Sequence, residues 1–156
     1  MTTIDSIREA GIVGAGGAGF PTHVKVNCKA EYVIANCAEC ETILRVVQQN
    51  IAVYADKEET GAQHAVIGLK AHYHAAVDAL TKAIGDKPIE LKLFRSYYPA
   101  GDEQQMVYEV TGRVVPTGGL PLDVGGGVCN VSTLCNIADS LDGIPLTTKV
   151  VTVGGE

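Results

Sequence analysis

The run Gly14-Ala15-Gly16-Gly17-Ala18-Gly19, followed by Phe20-Pro21-Thr22, has the residue types of a main-chain anion cradle. Glycine has no Cβ, so a ligand can approach successive backbone N–H groups closely. Gly14, Gly16 and Gly19 fit the spacing G-x-G-x-x-G. The dinucleotide fingerprint sets that pattern between a strand and a helix. No strand is read before this run and no clear helix directly after it, so a standard fingerprint turn is not expected. Composition alone also allows a glycine-rich turn with no ligand. Lys25, six residues beyond Gly19, can bring a positive charge to a phosphate, although spacing alone reads it as an exposed lysine.

Two acidic turns offer the other polar groups. One is Asn36-Cys37-Ala38-Glu39-Cys40-Glu41, and the other is Tyr98-Pro99-Ala100-Gly101-Asp102-Glu103. Glu39, Glu41, Asp102 and Glu103 could work as general acids or bases. Beside a dinucleotide, ribose hydroxyls are their more natural partners, with the carboxylates accepting. Cys37 and Cys40 form a C-x-x-C, which has the shape of a redox pair or half a zinc site. Zinc would need two more ligands, and Cys129 and Cys135 stand six apart, which makes no second knuckle. His23, His64, His72 and His74 add no ligand motif, and no metal site is expected. His72 and His74 are read as solvated.

The elements that must position these residues alternate. Thr3–Glu9 reads as a short amphipathic helix, and Gly11 to Thr22 as loop. Glu31 to Asn36 is a buried strand, and Ile43 to Tyr54 has helical spacing with Thr42 as its N-cap. Glu58 to Gln63 is a turn and Ala65 to Leu69 a second buried strand. Ala71 to Ile84 is a helix ended by Gly85, and Ile89–Phe94 is a third strand. Gln104 to Thr111 is a helix stopped by Gly112. Pro116 to Gly127 reads as loop, Asn130 to Ser140 as helix, and Lys149 to Val153 as a last strand. This order predicts an α/β fold, a mainly parallel sheet flanked by helices. Ligands of such sheets bind beyond the carboxyl ends of the strands, where both acidic turns fall.

The 156 residues suit one domain spanning 1–156. The formal charge of -6 disfavours nucleic acid or an anionic membrane surface as a partner. No signal peptide and no apolar run long enough to insert in a bilayer is read. Five cysteines, an odd number, read as free thiols in a reducing, cytoplasmic-type compartment.

Taken together, the motifs resemble a known family. Gly14 to Thr22 with Lys25 resembles the glycine-rich flavin loop of the NADH-binding 51-kDa subunit of respiratory complex I. It is more similar to the C subunit of the Rnf electron-transport complex and to proline-reductase-associated electron-transfer proteins. Asn36 to Glu41 resembles the family's N-x-(A/D)-E-x-E segment, and Tyr98 to Glu103 its Y-x-x-G-(D/E)-E turn. Val115 to Leu120 and Gly127 to Thr133 resemble the Rnf-type flavin loop. The four motifs stand in family order over nearly the whole chain.

The resemblance implies a Rossmann-like domain that binds FMN and NAD(H). Gly14, Gly16, Gly17, Ala18, Gly19 and Lys25 would hold the flavin phosphate and ring. Asn36 would contact the flavin, and Asn130 and Thr133 would complete its pocket. Tyr98, Gly101 and Glu103 would line the isoalloxazine and nicotinamide, with Glu103 the catalytic candidate. Phe20 would stack on adenine, while Glu39, Glu41 and Asp102 would complete the dinucleotide site, Glu41 accepting from its ribose.

Departures are present. Ala15 stands where complex I has Arg, Thr42 where the family has Pro, and Cys129 where it has the first Asn of N-N-V. The helix after Thr42 is about a dozen residues shorter than the family's, with the join near Lys57 and Glu58. The family continues into a β-grasp domain and a part carrying 4Fe-4S clusters, so the chain is expected to be a piece of a longer protein. The expected function is hydride exchange between NAD(H) and FMN, feeding iron–sulfur centres and other subunits of an electron-transfer complex. That complex would sit at the inner face of the cell membrane without direct insertion of this chain. The competing expectation is a scaffold that keeps the fold but no longer binds flavin.

Overall fold

The computed structural model describes residues 2–38 and 62–149. Four strands, β1 (Tyr32–Asn36), β2 (His64–Lys70), β3 (Ile89–Phe94) and β4 (Gly126–Asn130), form one sheet. Their order is β3-β2-β1-β4 and every pairing is parallel. The helices are α1 (Thr3–Glu9), α2 (Thr22–Val26), α3 (His74–Ile84), α4 (Glu103–Thr111) and α5 (Val131–Leu141), and a 3-10 turn spans Pro121–Val124. This is the α/β architecture that the alternation of elements predicts.

Both faces of the sheet are covered, which is why its strands read as apolar runs. Ala65, Ile67 and Leu69 of β2 share one cluster with Ile7 of α1, Leu80 and Ile84 of α3, and Leu134 and Ile137 of α5. On the other face Ile34, Val66, Phe94 and Val128 pack with Met106 and Val107 of α4. Burial of this apolar surface is the main stabilising term. Local signals agree with it. At α1, Thr2 Oγ1 accepts from the Asp5 N–H and Asp5 Oδ2 accepts from the Thr2 N–H, a reciprocal cap. Helix α4 ends where Gly112 turns left-handed at φ 72°.

The largest correction is β4. Its sequence, Gly-Gly-Val-Cys-Asn, reads as the end of a loop and the start of a helix. Two glycines remove the β-branched signature of a strand. At Gly126 a neighbour approaches closely, whereas at Gly127 the spacing is ordinary van der Waals contact. A Cβ on Gly126 would lie 3.1 Å from Val107 Cγ2, and one on Gly127 would lie 3.4 Å from the Ala30 Cβ. The paired register, Tyr32↔Gly126 to Asn36↔Asn130, makes the strand. Helix α2 is a second correction, since a short helix does follow the glycine loop. Helix α3 begins at His74 rather than Ala71, because the Ala71 N–H still donates to the Phe94 carbonyl. Lys149 is in no strand, and the rest of the expected Lys149 to Val153 strand lies outside the described residues. So do Ile43 to Tyr54, the join near Lys57 and Glu58, and the turn up to residue 61.

The amino edge of the sheet is clamped. Arg113 Nη1 donates to Glu31 Oε2 at 2.7 Å and to the Val124 carbonyl at 2.9 Å. Its guanidinium lies 5.5 Å from the Tyr32 ring centroid, and that ring stacks on His64 at 4.7 Å.

Two tests follow from this packing. A Cβ on Gly68 would stand 2.5 Å from Phe94 Cε2, inside the core. Gly68→Ala is therefore expected to destabilise the fold by about 1–3 kcal/mol, read as a lower urea midpoint with an unchanged slope. The hydrogen bond from Arg113 holds Glu31 below the usual carboxylate range. A lowered folded pKa means that the unfolded chain takes up protons first, so this contribution is complete near neutrality and is lost as pH falls through the folded value. Between about pH 5 and pH 3 the Tm of Glu31→Gln should fall less than that of the parent chain.

Candidate binding site at the carboxyl edge of the sheet

Strand order reverses between β1 and β4, and such a reversal opens a crevice beyond the carboxyl ends of the two strands. Those ends are Asn36 and Asn130, which are register partners. Asn36 Nδ2 donates to the Gly101 carbonyl at 2.8 Å, and Asn36 Oδ1 accepts from the Ala38 N–H at 3.1 Å. One side chain thus ties both acidic turns together. Gly101 has no alternative there, since a Cβ would lie 2.6 Å from the Ala38 carbonyl oxygen. The second turn leads into α4. Asp102 Oδ1 accepts from the N–H groups of Gln104 and Gln105 at 3.0 and 3.1 Å, and Glu103 is the first helical residue.

The glycine loop reaches the same edge. The Gly14 N–H donates to the Phe20 carbonyl at 2.8 Å, Val13 bridges Pro21, and the Thr22 N–H donates to the Ile12 carbonyl at 3.1 Å, which closes the loop at its base. The Ala15 N–H donates to Thr133 Oγ1 at 2.9 Å, fastening the loop to the first turn of α5. Asn130 caps that helix, its Oδ1 accepting from the Ser132 N–H at 2.9 Å. After the loop, α2 carries Lys25, whose Nζ is 3.5 Å from Glu103 Oε1. Loop, second acidic turn and α5 therefore converge, as the motifs require.

The arrangement fits a phosphate-bearing ligand. Among the described residues, a Cβ on Gly16, Gly17 or Gly19 would meet nothing within 4 Å. The N-terminus of α5 adds its partial positive charge, and the Thr133 hydroxyl that takes the Ala15 N–H is itself buried. At the base of the loop Thr22 is 1% exposed, and its Oγ1 has no hydrogen-bond partner among the described residues. Phe20 is half exposed and Tyr98 largely so, leaving two aromatic side chains available for stacking.

Some expected roles change in kind. Asn36 and Asn130 are expected from the motifs to face a flavin, but their side-chain oxygens accept from backbone N–H groups, and Asn36 also donates across to the second turn. Asp102 spends one oxygen as a cap. Glu39, Cys40 and Glu41 lie outside the described residues. Cys37 is buried, and no metal-holding cluster is found among the described residues. Burial pushes the Cys129 thiol up, against the pull of nearby Lys25, so at neutral pH it is a neutral thiol. Sequence reading misses the Ala15–Thr133 bond and also Lys149, whose Nζ lies 3.4 Å from the Ala15 carbonyl oxygen. The two residues are 134 positions apart, and no local pattern could join them.

Residues 7–139 match the model of the Nuo51 FMN-binding domain. The chain belongs to that family. As a Nuo51-type FMN-binding domain it has relatives of several kinds. It is 41% identical over 165 residues to the cobalamin reductase PduS of Citrobacter freundii, covering 99% of this chain and 36% of that protein. It is 39% identical to the C subunit of the proton-translocating ferredoxin:NAD(+) oxidoreductase complex of Clostridium ljungdahlii, over 96% of this chain and 36% of the relative. With the C subunit of the ion-translocating oxidoreductase complex of Vibrio cholerae the identity is 37%, over 99% of this chain and 22% of the relative. The FMN-binding domain thus spans about a third or less of the length of these relatives. A crystal structure of NAD+-reducing [NiFe]-hydrogenase shares the fold, with a TM-score of 0.67 at 23% identity over 90% of this chain and 30% of that one. The resemblance carried by the four motifs holds, and cobalamin reductase is a relative the motifs did not name. Among the described residues no helix is long and apolar enough to cross a membrane.

Gly101→Ala tests the junction of the two turns. The added methyl meets backbone rather than a movable side chain, so a loss of about 2 kcal/mol or more is expected in urea unfolding.

Proposed function

We propose that this domain binds FMN in the β1/β4 crevice and exchanges hydride with NAD(H), as the flavin-bearing part of a longer electron-transfer oxidoreductase. One observation carries the reading: the Ala15–Thr133 hydrogen bond, which brings the glycine loop onto the N-terminus of α5. The loop amides of Gly16, Gly17, Ala18 and Gly19, with Thr133 and the start of α5, hold the phosphate, while the Gly14 N–H closes the loop on Phe20. Asn36 keeps Gly101 and the first acidic turn in register, so that Tyr98, Gly101 and Glu103 line the ring and the nicotinamide. Glu103 keeps Lys25 fixed beside them. Phe20 stacks on adenine, and Glu39 and Glu41 complete the ribose site. Bound FMN supplies the two-electron acceptor, while the protein contributes orientation and electrostatics.

Single electrons would leave through 4Fe-4S clusters in the remainder of the longer protein, toward other subunits of an electron-transfer complex. That complex is proposed to lie at the cytoplasmic face of the membrane. A docking module without flavin is the second reading, and it rests on Cys129, a buried thiol directly before Asn130.

Titration with FMN, followed by anaerobic addition of NADH, separates the two. Micromolar binding and bleaching of the yellow colour are expected. A dissociation constant above about 1 mM, where binding is worth only about 4 kcal/mol, would favour the docking module instead. Replacing both Cys37 and Cys40 with Ser should leave FMN affinity nearly unchanged, whereas a thiol or metal protein would lose its activity.

A further inference from the structure

The candidate site holds two lysines in unlike surroundings. Lys25 Nζ is 3.5 Å from Glu103 Oε1, and the lysine side chain is only 26% exposed. Its charge is already met by a carboxylate. Lys149 is exposed, and its Nζ is 3.4 Å from the carbonyl oxygen of Ala15. No carboxylate pairs with Lys149 among the described residues.

Ala15 is also the residue whose N–H is fastened to Thr133. Lys149 therefore stands at the point where the glycine loop meets the N-terminus of α5. It is brought there by the segment after α5, where the Leu146 N–H donates to the Ala10 carbonyl at 2.9 Å. Its bond to Ala15 is long and made to a neutral acceptor. A flexible ammonium can exchange such a bond for a shorter, charge-assisted one to an anion. Lys25 would first have to give up Glu103.

We infer that Lys149, and not Lys25, supplies the formal positive charge that meets the phosphate of FMN. This rests on the flavin reading above and adds a direction to it. The phosphate lies toward Ala15, Thr133 and Lys149, and the ring lies toward Asn36, Gly101 and the Lys25–Glu103 pair.

The test compares FMN with riboflavin, which lacks the phosphate. Dissociation constants for both are measured by flavin fluorescence on the intact protein and on Lys149→Met, Lys149→Arg and Lys25→Met. The parent protein prefers FMN. Lys149→Met loses about tenfold or more of its FMN affinity while riboflavin binding is unchanged, and Lys149→Arg keeps the preference. Lys25→Met leaves the ratio of the two constants as in the parent. The assignment is overturned if Lys149→Met keeps the parent ratio, if it loses riboflavin and FMN alike, or if Lys25→Met is the variant that abolishes the preference. A parent protein that binds neither flavin rejects the flavin reading itself, and the assignment with it.

Discussion

The whole carboxyl edge depends on β1 lying directly beside β4. That neighbourhood is closest at Gly126, where a Cβ would stand 3.1 Å from Val107 Cγ2 and the valine would have to give way. With the strands in register, Asn36 and Asn130 end side by side. Each asparagine then acts on backbone. Asn36 joins the two acidic turns, and Asn130 starts α5, to which the glycine loop is fastened. Two small side chains thereby set where four separate stretches of chain meet.

Electrostatics at this edge are local rather than global. The chain as a whole is acidic, yet the carboxyl edge gathers the glycine loop, the N-terminus of α5 and the Lys149 ammonium group. Burial pushes the Cys129 thiol up, so it adds no negative charge at this edge.

Much of this was legible in the sequence because the signals were local. Buried strands such as Ile34 with its neighbours, or Val66 to Leu69, announce themselves by apolar runs. Asp102 and Gly112 bracket α4 by well-understood end chemistry. The site was legible through glycine, asparagine and acid clusters in a fixed order. What remained hidden was non-local. Strand β4 is made by its partners and has no intrinsic strand character, so its glycines read as loop. Helix α3 starts late because β3 retains Ala71. Asn36 bonds to Gly101 across 65 residues, and nothing near Asn36 in the chain hints at that partner.

The clamp built by Arg113, Glu31, Tyr32 and His64 gathers strong polar and ring contacts at the rim opposite the crevice. Anchorage and recognition are thereby housed at separate poles of one sheet. A lineage could exchange the residues that greet a ligand while the far rim keeps the strands in step. Diversification among domains built on this plan would then proceed by resculpting one pole, with the other serving as ballast.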